Sequence, residues 1–82
     1  MGAEDVEVHL FAAARAAVGE SVVHVPAGTL AEVLAALEDG YPAFVAVRPR
    51  CSFLVDEVAV HDPGMAVAAG SRLDVLPPFA GG

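Results

Sequence analysis

The chain has 82 residues, 56% of them apolar, and a formal net charge of −7 from eleven acids against four arginines. That length makes one domain near the lower size limit for a core without staples. A single cysteine excludes an intramolecular disulfide framework, and fourteen valines with four phenylalanines exclude disorder. The acidic balance argues against nucleic acid, whose phosphates need clustered Lys or Arg, and suits a solvated surface or a basic partner protein.

With no lysine, the chain has no side-chain amine for nucleophilic or Schiff-base chemistry. No apolar run approaches the roughly 18 residues that span a bilayer. The opening Met1-Gly2-Ala3-Glu4-Asp5 is acidic, unlike a signal peptide, and Val6 stands where myristoylation wants Ser or Thr. A cytoplasmic protein with no membrane contact is expected.

Val6, Val8 and Leu10 alternate with Glu7, His9 and Phe11, which predicts a strand with one buried face. Ala12 to Val18 is an alanine-rich helical turn or loop that Gly19 ends. Ser21 to Val25 is a second strand, closed by Pro26 and Gly28. Thr29 opens the clearest helix: Thr29-Leu30-Ala31-Glu32 fits a capping box, and Leu30, Val33, Leu34 and Leu37 make one apolar stripe. Gly40 is expected at its C′ position, followed by Pro42. Residues 41–51, punctuated by prolines and arginines, are expected to be irregular. Phe53 to Val55 and Val58 to Val60 are strands around an Asp56-Glu57 turn, and Asp62-Pro63-Gly64 is a further turn. Leu73 and Val75 belong to a last strand that Pro77-Pro78 stops.

The order β-β-α-β-β-β gives an α+β class: a mixed β-sheet packed on one main helix, the β-grasp or ubiquitin-like arrangement. The domain is expected over 1–76, with an extended C-terminal tail over 77–82. In this arrangement the first and last strands are neighbours. Phe11 and Leu76 then share the open sheet face where the tail leaves, an apolar pair suited to docking a partner.

The tail, Pro77-Pro78-Phe79-Ala80-Gly81-Gly82, has no polar side chain. Its prolines favour an extended spacer, and its last two residues lack a Cβ, so the end fits a slot too narrow for side chains. Six extended residues reach roughly 20 Å. The only reactive group at the tip is the Gly82 carboxylate, a poor electrophile until ATP converts it to an acyl-adenylate. The chain has no ATP-binding loop, so a separate enzyme must activate it.

Leu10-Phe11-Ala12 with Arg15 and Val18-Gly19, the helix from Thr29, and Leu76-Pro77-Pro78-Phe79-Ala80-Gly81-Gly82 together resemble the sulfur-carrier branch of ubiquitin-like proteins. Within it, the chain looks like the small subunit of molybdopterin synthase. The terminal Pro-Pro-x-x-Gly-Gly is the most specific part, since thiamine-pathway and other carriers share Gly-Gly but commonly lack Pro-Pro. The resemblance implies that an adenylating enzyme activates Gly82 and that a sulfur donor converts it to a thiocarboxylate. The tail (Pro77, Pro78, Phe79, Ala80, Gly81) then threads into a larger catalytic subunit, where the sulfur goes into the dithiolene of molybdopterin. It also implies that Phe11 and Leu76 dock on that subunit, that no cofactor is bound, and that the chain has no catalytic site of its own. The sequence departs from the family pattern at Ala16, where an acid is frequent, at Gly70-Ser71-Arg72-Leu73 and at Val55-Asp56.

Other readings remain at this point: a sulfur carrier for thiamine, cysteine or RNA thiolation, a modifier joined through Gly82 to lysines, or an interaction module with an inert tail. Cys51 is expected to be a partly buried hydrophobe rather than a persulfide relay. His9 and His24 are expected as cross-strand neighbours on the open face, without further ligands for a metal. His61 is expected in a turn. Arg15 either steers an acidic partner or ties down the first loop.

Overall fold

The computed structural model describes residues 4–77. In chain order it contains β1 (Asp5–Leu10), α1 (Ala12–Val18), β2 (Val22–Pro26), β3 (Gly28–Thr29), α2 (Leu30–Gly40) and α3 (Phe44–Val47). A 3₁₀ turn (Arg48–Arg50) follows, then β4 (Ser52–Val55), β5 (Val58–Val60), β6 (Ala66–Val67) and β7 (Arg72–Leu76). Five strands form one sheet in the order β2-β1-β7-β4-β5, and β3 with β6 forms a small second sheet. The β1–β7 pair is parallel, and the others are antiparallel, so the main sheet is mixed. This is the β-grasp arrangement.

Alternation decides which face of the sheet is buried. Val6, Val8, Leu10, Leu73 and Val75 are at most 1% exposed. They meet the α2 stripe of Leu30, Val33, Leu34 and Leu37, together with Ala14 and Val18 of α1 and Phe44 of α3. Burying each of these aliphatic side chains contributes about 1.5–3 kcal/mol.

Helix α2 begins as its sequence dictates. Thr29 Oγ1 accepts from the Glu32 amide at 3.1 Å, and Glu32 Oε1 accepts from the Thr29 amide at 2.9 Å. Gly28 makes room for this box, because a Cβ there would lie 2.5 Å from Glu32 Oε1. The helix end differs from expectation. Gly40 stays within the helix, and Tyr41 caps it at φ −136° with its amide donating to the Leu37 carbonyl at 2.8 Å. No left-handed glycine is needed there, because half-buried Tyr41 packs against the core.

Three further differences concern short elements. Residues 12–18 are a full helix, ended by Gly19 at φ +86°, whose amide donates to the Arg15 carbonyl at 2.7 Å. The stretch 41–51 is not irregular: α3 and the 3₁₀ turn sink Phe44 into the core. The β3–β6 pair joins Gly28 to Val67 and Thr29 to Ala66, tying the start of α2 to the segment before β7. The Asp56-Glu57 turn is present, with both residues in the left-handed region at φ +47° and +72°.

Thr29→Ala removes the hydroxyl half of the box and is expected to lower unfolding free energy by about 1 kcal/mol. Urea denaturation followed by circular dichroism measures this; an unchanged midpoint would show that the cap adds nothing.

Candidate functional site: the end of the sheet where the tail leaves

The central pair of strands sets this site. Leu10 of β1 stands opposite Val75 of β7, and the Phe11 amide continues the ladder by donating to the Val75 carbonyl at 3.2 Å. Phe11 therefore lies beside the end of β7, as expected, and Leu76 stands opposite Ser52 on the other side. Phe11 is 38% exposed, and Leu76 and Pro77 are half-buried. Directly after Phe11 the chain turns into α1 through Ala12 at φ +52°. For a residue with a Cβ this left-handed backbone costs roughly 1–2 kcal/mol. The expected threading and reactive residues Pro78, Phe79, Ala80, Gly81 and Gly82 lie outside the described residues; Pro77 is the last one within them.

The open face next to this apolar end is polar. Glu7 stands opposite Arg72, and His9 opposite Asp74. Arg72 Nε donates to Asp74 Oδ1 at 2.7 Å. That bond, first among its causes, raises the guanidinium further above its usual range. Asp74 is only 8% exposed although it faces away from the helices. His9 Nε2 lies 3.4 Å from Glu7 Oε1, yet it is buried and makes no hydrogen bond among the described residues. Alternation placed these side chains on the outer face, but the burial of Asp74 depends on its cross-strand neighbours, which the sequence does not name. The two histidines are diagonal neighbours across β1 and β2 on the open face, with His24 opposite Glu7 and His9 opposite Val22. Among the described residues, no group of three or more His, Cys, Asp or Glu is placed to hold a metal ion.

The remaining singled-out residues are placed as follows. Cys51 is half-buried, packs against the core and donates from Sγ to the Val47 carbonyl at 3.4 Å. Burial raises its thiol pKa, which disfavours the reactive thiolate. It lines a concave surface of about 550 Å³ with Leu34, Val45 and Phe53, rimmed by the Glu38–Arg48 ion pair at 2.9 Å. Arg15 and His61 are exposed. No described helix is long and apolar enough to cross a membrane.

The chain's likeness to known proteins is extensive. The model of the ThiS family matches residues 8–82. SAMP1 from Haloferax volcanii is 29% identical, with 95% of this chain and 99% of that chain covered and a TM-score of 0.82. Small archaeal modifier protein 1 from Methanosarcina acetivorans is 25% identical, with coverage of 95% and 96% and a TM-score of 0.81. A chain of the complex of subunit 1 and 2 of molybdopterin-converting factor from Helicobacter pylori is 20% identical, with coverage of 95% and 99% and a TM-score of 0.71. Among curated proteins none matches the chain significantly.

Phe11 is the N-cap residue of α1 and makes no side-chain cap hydrogen bond. Aspartate is a favoured cap, worth about 1 kcal/mol. Phe11→Asp is therefore expected to keep the fold, the new cap offsetting the lost partial burial. Thermal and urea unfolding check this; loss of the cooperative transition would make Phe11 a structural residue rather than a surface one.

Proposed function

The chain belongs to the ThiS family, and we propose that it is a sulfur carrier that works through Gly82. The carboxylate attacks the α-phosphate of ATP on a separate adenylating enzyme, and pyrophosphate leaves. Hydrosulfide from a sulfur donor then attacks the acyl carbon, the bond to AMP breaks, and a thiocarboxylate is left. The larger subunit of molybdopterin synthase takes the sulfur for dithiolene formation. The observation that carries this reading is the family match running through residue 82, over the Pro77-Pro78-x-x-Gly81-Gly82 sequence.

The geometry supports the partner's part. Phe11 and Leu76 lie at the end of β7, so a subunit that docks on them receives whatever follows Pro77. The similar fold in the complex of subunit 1 and 2 of molybdopterin-converting factor supports a larger-subunit partner. A second reading, a protein modifier joined through Gly82 to a target lysine, is favoured by the 29% identity to SAMP1, a small archaeal modifier protein. Both use the same activated glycine and differ in the acceptor.

Intact mass of the protein from its own cells is expected to show one oxygen replaced by sulfur, placed on Gly82 by fragmentation. An unmodified mass after incubation with ATP, an adenylating enzyme and a sulfur donor would exclude the carrier reading, and conjugates to lysine would establish the modifier. Deleting Gly82 is expected to abolish transfer without changing the unfolding transition; retained transfer would overturn the assignment. Phe11→Asp is expected to weaken binding of the larger subunit, and unchanged affinity would remove Phe11 from the interface.

A further inference from the structure

Chain corners with positive φ favour glycine, and this chain uses glycine at two of them. Gly19 stands at φ +86° and Gly70 at φ +84°. A Cβ at either would meet nothing within 4 Å, so the backbone angle alone calls for glycine there. Among the described residues, Ala12, Asp56 and Glu57 also have positive φ. The side chains of the last two have a use inside the domain. Asp56 Oδ1 accepts from the Arg72 amide at 3.0 Å, and Glu57 sets a negative charge near the Arg72 guanidinium. Ala12 has no such use: it is exposed, so its methyl group gains no burial, and its side chain has no polar atom.

Phe11 dictates the corner. It is extended, at φ −125° and ψ 146°, and its amide donates to the Val75 carbonyl at 3.2 Å. Its carbonyl already belongs to α1, accepting from the Ala14 amide at 3.1 Å and the Arg15 amide at 3.4 Å. The backbone therefore passes from strand to helix within one residue, and Ala12 makes the turn at φ +52°. Glycine would make the same turn without strain, but it would open a wide range of other angles as well. A residue with a Cβ has only a small left-handed basin, at φ of about +50° to +70°. The methyl group thus narrows the corner although it packs against nothing.

We propose that Ala12 is a positioning residue for partner docking: its methyl group confines the β1–α1 corner and so holds Phe11 at one angle to the end of β7. This rests on the docking of the larger subunit at Phe11 and Leu76, and it adds what keeps that pair in place. An aromatic anchor that is already fixed loses less freedom when it docks. Ala12 acts through Phe11 and does not itself need to touch the partner.

The test is Ala12→Gly in the full chain, with the purified larger molybdopterin synthase subunit as ligand. Its melting temperature is expected at or above the native value, because strain is relieved. Its dissociation constant is expected to rise about two- to fivefold, the weight of the freedom that glycine adds. Backbone amide relaxation by NMR is expected to show more motion over residues 11–15 of the free variant. Ala12→Asn, which returns a Cβ to a residue type tolerant of this region, is expected to restore the affinity. In a Phe11→Ala background, Ala12→Gly is expected to cause no further loss, since no anchor is left to position. A lower melting temperature for Ala12→Gly would make the methyl group structural, and an unchanged affinity would make it idle. A loss in Ala12→Asn equal to that in Ala12→Gly, or a full further loss in the Phe11→Ala background, would put the methyl group itself against the partner. Each of these results would overturn the inference and leave docking at Phe11 intact. Failure of the native chain to bind would remove the docking reading and this inference with it.

Discussion

The parallel pairing of β1 with β7 is the contact on which the rest of this molecule depends. It brings two fully buried inner faces together in the middle of the sheet, Val8 opposite Leu73 and Leu10 opposite Val75, each at most 1% exposed. It also decides what lies at the tail's exit. One more residue along β1 is Phe11, and one more along β7 is Leu76. On the outer face the same register makes Glu7 face Arg72 and His9 face Asp74. Parallel neighbours distant in sequence cost loop-closure entropy. Here α2, packed on one face, and the β3–β6 pair, just before β7, hold the crossover in place.

The division of labour follows from that arrangement. The stabilising burial of the fold lies in the aliphatic layer beneath the sheet, whereas the proposed chemistry lies beyond Pro77. The described residues bring together no metal-binding cluster, and the one thiol is pushed away from its reactive form by burial. What the described domain contributes is a fixed point of departure for the residues that follow Pro77.

Much of this is legible in the sequence, for identifiable reasons. The strict alternation in Val6–Leu10 and the four-residue stripe of α2 are strong signals because burial enforces them. The placement of Phe11 and Leu76 at one end of the sheet follows from alternation plus the β-grasp neighbour rule. Two-residue strands such as β3 and β6 carry no periodicity and cannot be read in advance. Helix α1 has only Ala14 and Val18 buried, too narrow a stripe to separate helix from loop. Gly40 misleads because glycine is the commonest C′ residue, but the packing of Tyr41 ends α2 without it. The pairing of Glu7 with Arg72 and of His9 with Asp74 is hidden for a different reason: alternation gives the face of a side chain, and only register gives its neighbour.

The direction of β1 and β7 has a mechanical consequence. The strands run the same way, so Asp5 lies at one end of the shared ladder and Leu76 at the other. A pull on the tail against the start of β1 loads the ladder's hydrogen bonds in shear, all at once, instead of peeling them one after another. A domain pulled from the end of β7 against the start of β1 is thereby built to resist tension along the strands.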